Sequence, residues 1–194
     1  MFSKDFVIRQ IDLELDYGIT DFEITGGEPS ECKDLEFYCQ YIKERLSSAK
    51  IAIITNGGLW KENDNVWNLI DEVLVSYHSP KDNSLVDKKI FPFGSTYKKV
   101  KKTVDKAKFF NKILRTNTVI GTFNIDILDE ITNDLISFNP KIINFLPINL
   151  FDDANDVDNL IDYNKFRPII KKQIDKLETN IPNALKCIRF MPYC

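Results

Sequence analysis

Apolar residues recur along this chain in two patterns, one typical of amphipathic helices and one typical of buried strands. From Ser3 to Tyr17 they stand among charged residues at helical spacing, and Gly18 follows where such a helix would end. Ile51–Ile54 form a continuous apolar run of the kind found in strands covered on both faces. Glycines at positions 57 and 58 end that run. The two patterns alternate over the whole chain.

This alternation predicts six strands with helices between them. Helices are predicted over residues 3–17, 33–46, 64–69, 97–110, 125–138 and 163–177, and strands over residues 22–25, 50–55, 72–77, 112–120, 141–146 and 185–191. Such spacing indicates βαβ units, so we expect an α/β fold with a parallel sheet, either most of a (β/α) barrel or a doubly wound sheet. We find no internal repeat or low-complexity linker and expect residues 1–194 to form one domain.

The composition narrows the range of partners. The chain has 26 Lys+Arg and 29 Asp+Glu, a formal net charge of −3, which disfavours nucleic acid because phosphate binding needs a basic surface. No apolar run approaches the roughly 20 residues of a membrane helix. Four cysteines are too few for a disulfide scaffold. We therefore expect a reduced, cytoplasmic protein that binds neither nucleic acid nor membrane.

The sequence Gly26-Gly27-Glu28-Pro29 stands where the first predicted strand ends. Ligands gather at the carboxyl ends of strands in both candidate architectures. The two glycines expose backbone groups there, and the carboxylate of Glu28 could accept charge-assisted hydrogen bonds from an ammonium group. The alternative is a strand-to-helix turn with Glu28 in the first helical turn, where the helix dipole favours it.

Residues 24–30, with the sequence ITGGEPS, resemble the second-strand motif of radical S-adenosylmethionine (SAM) enzymes. Four later segments resemble the ends of that family's third to sixth strands in order: Ile54–Gly57, Val75–His78, Asn117–Ile120 and Asn144–Pro147. The resemblance covers about residues 1–150 and reaches the closing strand, residues 185–194, which could also begin a C-terminal extension. It implies a partial (β/α)6 TIM-like barrel of the radical SAM type.

The resemblance also implies a SAM site. Gly26, Gly27 and Glu28 would hold the methionine amino group. The other implied contacts are Ser76 and Asn117 to the methionine carboxylate or ribose, Thr55 and Asn56 along the same cleft, and Leu146 and Pro147 beside the adenine. In that family a [4Fe-4S] cluster passes one electron to SAM, and the 5′-deoxyadenosyl radical abstracts hydrogen from the substrate. The implied partners are SAM, an electron donor and an unknown peptide or small-molecule substrate.

The family's cluster motif, C-x3-C-x2-C, is absent, although cysteine thiolates hold such clusters. The four cysteines are Cys32, Cys39, Cys187 and Cys194. In the family the motif follows the first strand and precedes the helix with which this chain begins. We therefore expect the first strand and the cluster loop to be missing, and the chain to be an inactive fragment. Cys32 and Cys194 are weak candidates for metal ligands. Cys32 and Cys39 should lie two turns apart on one helix, about 10 Å, which is too far for one cluster edge.

Two further residues have alternative roles. His78 contacts substrate or cofactor, or it is a polar turn residue. Arg115 shares a strand face with Asn117 and contacts the cofactor carboxylate, or it belongs to a structural ion pair.

For the whole chain, one alternative is a non-catalytic SAM- or protein-binding module derived from a radical SAM barrel. Another is an unrelated (β/α) enzyme in which Glu28 is the general base and His78 assists it.

Overall fold

The structure, a computed structural model, describes residues 3–60, 64–80, 96–147, 162–181 and 188–190. The strands are β1 (Asp21–Ile24), β2 (Lys50–Thr55), β3 (Glu72–Ser76), β4 (Ile113–Ile120), β5 (Ile142–Pro147) and β6 (Ile188–Phe190). The helices are α1 (Lys4–Asp16), α2 (Leu35–Arg45), α3 (Asp64–Leu69), α4 (Thr96–Phe109), α5 (Leu128–Phe138) and α6 (Tyr163–Asn180). Short 3-10 turns cover Pro29–Glu31, Gly58–Trp60 and Ile125–Ile127.

The six strands form one parallel sheet in the order β1-β2-β3-β4-β5-β6. Each pair of consecutive strands is joined through one of the helices α2 to α6, as parallel pairing requires. A doubly wound sheet would reverse its strand order at a switch point, and this sheet does not. The expected partial (β/α)6 barrel is therefore confirmed.

The two faces of the sheet differ in chemistry. Alternate strand residues such as Ile53, Val75 and Phe145 are fully buried, and they pack in one core with helix residues such as Trp67 and Leu135. Burying each large apolar side chain contributes about 1.5–3 kcal/mol, so this outer layer supplies most of the stabilisation. The opposite, inner face carries polar and charged residues.

A charge cluster on the inner face joins residues of three strands. The Arg115 guanidinium in β4 lies 3.0 Å from the carboxylate of Glu23 in β1 and 3.2 Å from that of Glu72 in β3. The cluster thus links β1, β3 and β4 across the inner face, which is the interior of the partial barrel.

The predicted elements agree with the observed ones, with one correction that affects the site. The helix predicted from residue 33 begins at Leu35, because the 3-10 turn ends at Cys32, whose backbone is extended. Cys32 and Cys39 therefore do not share a helix, and that expectation is wrong. Of the predicted last strand, residues 185–187 and 191 lie outside the described residues. In the described part of the chain, no helix has the length and apolarity needed to cross a membrane.

Candidate functional site

The turn after β1 presents bare backbone at the carboxyl end of the sheet. Gly26 and Gly27 have φ values of +101° and +45°, a left-handed conformation that glycine adopts without a Cβ penalty. Apart from the adjacent residues of the chain, an added Cβ at either glycine would meet no atom within 4 Å, so the space beside both Cα atoms is open. A ligand can therefore approach the backbone closely at this turn.

The Glu28 carboxylate ties this turn to the end of β2. Its Oε1 accepts hydrogen bonds from the Ser30 N–H at 3.1 Å and the Thr55 hydroxyl at 2.6 Å. Its Oε2 accepts one from the Asn56 N–H at 2.7 Å. We call this arrangement the Glu28 latch. A carboxylate has about four acceptor positions, so the latch leaves capacity for one further donor.

The turn after β2 packs closely against α4 and against Ser30 because two of its residues are glycines. A Cβ at Gly57, where φ is +98°, would lie 2.8 Å from the backbone nitrogen of Val100 in α4. A Cβ at Gly58 would clash with the Ser30 hydroxyl, beside the Glu28 latch. The Gly58 N–H donates to Oδ1 of Asn56 at 3.1 Å, which leaves the amide NH2 of Asn56 as a donor.

A row of polar residues runs across the inner face where strands β3 to β5 approach their carboxyl ends. Ser76 pairs in register with Asn117, and Asn117 pairs with Asn144. The Asn144 amide donates to Oδ1 of Asn117 at 2.6 Å. Asn144 is buried, whereas Ser76 and Asn117 are half-buried. We call the partly accessible inner face at this level the cleft. Asn144 was not among the residues expected at the site, although a lone polar residue inside the apolar run of β5 is a signal for it.

The predicted adenine contacts lie at the end of β5. Leu146 alternates with Asn144 and so shares the inner face, and it is partly exposed. Pro147 is also partly exposed but has the opposite parity, which directs it away from Leu146. Of these two predicted adenine contacts, only Leu146 therefore shares a face with Ser76 and Asn117.

His78 is buried in the loop that follows β3. It is 8% exposed, and its Nδ1 accepts a hydrogen bond from the Val119 N–H at 3.0 Å. The amide NH2 of Asn124 donates to the carbonyl groups of His78 and Val119, joining the loops after β3 and β4. Burial lowers the pKa of His78 to about 4, so the ring is neutral at pH 7. A neutral ring with Nδ1 as acceptor carries its proton on Nε2.

Arg115 lies two residues before Asn117 on the same face, about 7 Å towards the other end of the barrel. Its carboxylate partners, Glu23 and Glu72, are those that the structural ion-pair alternative requires. The Nε atom of Arg115 is buried and has no hydrogen-bond partner among the described residues. Both glutamates contact the same nitrogen, Nη1, so the ion pair balances the charge of the guanidinium without engaging Nε.

The described cysteines do not fit an iron–sulfur cluster. Cys32 is half-buried, and Cys39 is fully buried within α2, where burial raises the pKa of its thiol to about 12. A thiol of that kind is protonated and is a poor metal ligand. The described residues contain no group of three or more His, Cys, Asp or Glu side chains placed to hold a metal ion. Cys187 and Cys194 lie outside the described residues.

Comparison with known proteins assigns the fold. No protein-family model matches the chain. No curated protein matches it either. Solved structures do match, and they identify the fold as that of radical SAM enzymes, as the resemblance implied.

Three structures illustrate the likeness. SuiB of Streptococcus suis bound to S-adenosylmethionine is 18% identical with a TM-score of 0.66, over 98% of this chain and 43% of that chain. The protein anSMEcpe with bound AdoMet and the Cp18Cys peptide is 15% identical with a TM-score of 0.73, over 97% and 56%. Coproporphyrinogen III oxidase (HemN) from Escherichia coli, a radical SAM enzyme, is 10% identical with a TM-score of 0.69, over 91% and 45%. The chain thus spans about half the length of these proteins.

Proposed function

We propose that this chain binds SAM at the carboxyl ends of its strands, as the SAM-binding part of a radical SAM-type enzyme core. The observation that carries the proposal is the Glu28 latch beside the bare Gly26-Gly27 backbone. This arrangement is held in place by two neighbouring strands and has both acceptor capacity and open access. It occurs in a barrel whose structural relatives include proteins solved with SAM.

The chemistry of the surrounding groups supports this ligand. An ammonium group is a donor, and the Glu28 carboxylate can accept a charge-assisted hydrogen bond from it. A carboxylate or a ribose offers acceptors, and the donors of Asn56, Ser76 and Asn117 suit these. The apolar side chain of Leu146 suits the adenine. In radical SAM enzymes the cofactor supplies hydrogen-abstraction chemistry, and these residues would bind and orient it.

The catalytic part of the proposal concerns a peptide or a small molecule as the substrate. A peptide is favoured by two similar structures, SuiB bound to the precursor peptide SuiA and anSMEcpe with the Kp18Cys peptide. The described cysteines do not fit a [4Fe-4S] cluster. This observation favours a second candidate, a module that binds SAM or a protein without redox chemistry.

Titration calorimetry of SAM into the full chain tests the proposal. We expect saturable binding that weakens at least tenfold in Glu28→Gln, since a hydrogen bond to a charged group contributes about 1.5–3 kcal/mol. The control is Glu31→Gln, which changes an exposed carboxylate of the same turn and should leave the affinity unchanged. Equal affinity in Glu28→Gln and the wild type would contradict the role of Glu28. No binding by the folded wild type would contradict the proposed function.

Iron content distinguishes the two candidate functions, a radical SAM-type enzyme and a non-catalytic binding module. After anaerobic incubation with iron, sulfide and a reductant, an enzyme should retain iron and form 5′-deoxyadenosine from SAM. A chain that binds SAM but retains no iron and forms no 5′-deoxyadenosine supports the module.

A further inference from the structure

The contact between Asn144 and Asn117 sets the polarity of the cleft. An asparagine amide can turn by 180° and exchange its carbonyl for its NH2, so an isolated Asn117 could present either. Here Oδ1 of Asn117 is engaged by the Asn144 amide at 2.6 Å. The NH2 group of Asn117 is consequently the end that faces away from Asn144, into the half-buried cleft.

Burial and register make Asn144 a rigid partner. Asn144 is 7% exposed and lies opposite Asn117 in the β4–β5 ladder, where the backbone fixes the spacing of the two residues. Its buried NH2 group donates to Oδ1 of Asn117. Asn117 is therefore held in the orientation in which Oδ1 faces Asn144.

The resulting surface is a row of donors. The NH2 group of Asn117 and the hydroxyl of Ser76 lie at the same register level, and Asn56 lies one residue beyond β2 on the far side of β3. None of these three groups donates to a described side chain. Neutral donors at one level suit a ligand edge rich in oxygen acceptors.

We propose that Asn144 is a positioning residue that locks Asn117 as a hydrogen-bond donor toward the carboxylate or ribose oxygens of bound SAM. This inference rests on the proposed function for its ligand. The orientation of Asn117 itself does not need the ligand and can be tested without it.

The decisive variant is Asn144→Asp, which keeps the shape but replaces the donor with acceptors only. Asn117 then turns its NH2 toward the new carboxylate and presents Oδ1 to the cleft. We expect the dissociation constant for SAM to rise at least tenfold. Asn144→Leu is the uncharged comparison. It frees Asn117 to turn without reversing it, so we expect a rise of a few fold, between the wild type and Asn144→Asp.

NMR of the ligand-free, nitrogen-15-labelled chain reports the orientation directly. In Asn144→Asp the side-chain NH2 signal of Asn117 should move downfield and exchange more slowly with water, because it gains an acceptor. An unchanged Asn117 signal overturns the positioning role, and so does equal SAM affinity in all three proteins. If Asn144→Asp does not fold, Asn144→Leu tests the positioning role instead. Removing the hydrogen bond from Asn144 must still change the side-chain signal of Asn117. A wild type that binds no SAM, together with the expected NMR change, contradicts the proposed function and the ligand but leaves the orientation supported.

Discussion

Acidification between pH 6.5 and pH 4 should destabilise this chain through His78. The ring is buried, and its Nδ1 accepts the Val119 N–H, which only the unprotonated ring can do. Protonation would bury a positive charge and would place an Nδ1–H donor of the ring against the Val119 N–H, which is also a donor. The folded state therefore resists protonation, and burial lowers the pKa of His78 from 6.5 to about 4.

The size and sign of the effect follow from proton linkage. Above pH 6.5 the ring is neutral in both states, and the free energy of unfolding is unaffected. Between pH 6.5 and the folded pKa, the unfolded chain binds a proton that the native chain does not, so stability falls as the pH falls. A shift of about 2.5 units at 1.36 kcal/mol per unit amounts to about 3 kcal/mol. Below the folded pKa the group causes no further loss.

Urea unfolding at half-unit pH steps from 7.5 to 3.5 measures this loss. The comparison is His78→Asn, whose amide oxygen can still accept the Val119 N–H but does not titrate. The wild type should lose about 3 kcal/mol more than this variant across the window. Two carboxylates with lowered pKa values, Asp71 and Asp129, lose their contribution at lower pH and are common to both proteins. Parallel stability curves for the two proteins would refute the reasoning.

Two further predictions concern backbone and core. Gly57→Ala should cost about 2 kcal/mol more than Gly26→Ala, because both residues have φ near +100° but only the Cβ at position 57 meets backbone atoms. Equal urea midpoints for these two variants would contradict the clash. Thr116→Val and Thr118→Val should each raise stability by about 1 kcal/mol, since each hydroxyl is buried without a partner among the described residues. Thermal unfolding checks this, and a lowered midpoint would indicate that the hydroxyl is bonded.

The strands and helices could be predicted because each carries its own signal. The run Ile51–Ile54 is apolar without interruption, and the boundaries of β2 and α3 match the predicted ones. Gly18 follows the cap of α1 with φ of +78°, in the position predicted for it. The beginning of α2 was predicted two residues too early because the 3-10 turn Pro29–Glu31 and the extended residue Cys32 precede it, and neither has a helical periodicity that marks the boundary.

The site could be predicted only as a set of residues, because its contacts join segments that are distant in the sequence. The Glu28 latch depends on the turn after β2, 27 and 28 residues further along the chain. The bond between Asn144 and Asn117 depends on the register of β4 and β5, which no local pattern determines. The resemblance to radical SAM enzymes supplied the positions of Glu28 and Asn117, but neither their partners nor the direction of their amide and carboxylate groups.

The inner face divides into two levels, and the division bears on how a zwitterionic ligand would be held. At the deeper level the charge of Arg115 is already balanced by Glu23 and Glu72, which both contact its Nη1. Among the described residues, the upper level offers the neutral donors of Ser76 and Asn117 and the carboxylate of Glu28. The charge that these residues offer to a ligand is negative, and it matches an ammonium group. A ligand carboxylate at that level depends on correctly oriented neutral donors, which is why the direction of the Asn117 amide, and hence Asn144, matters.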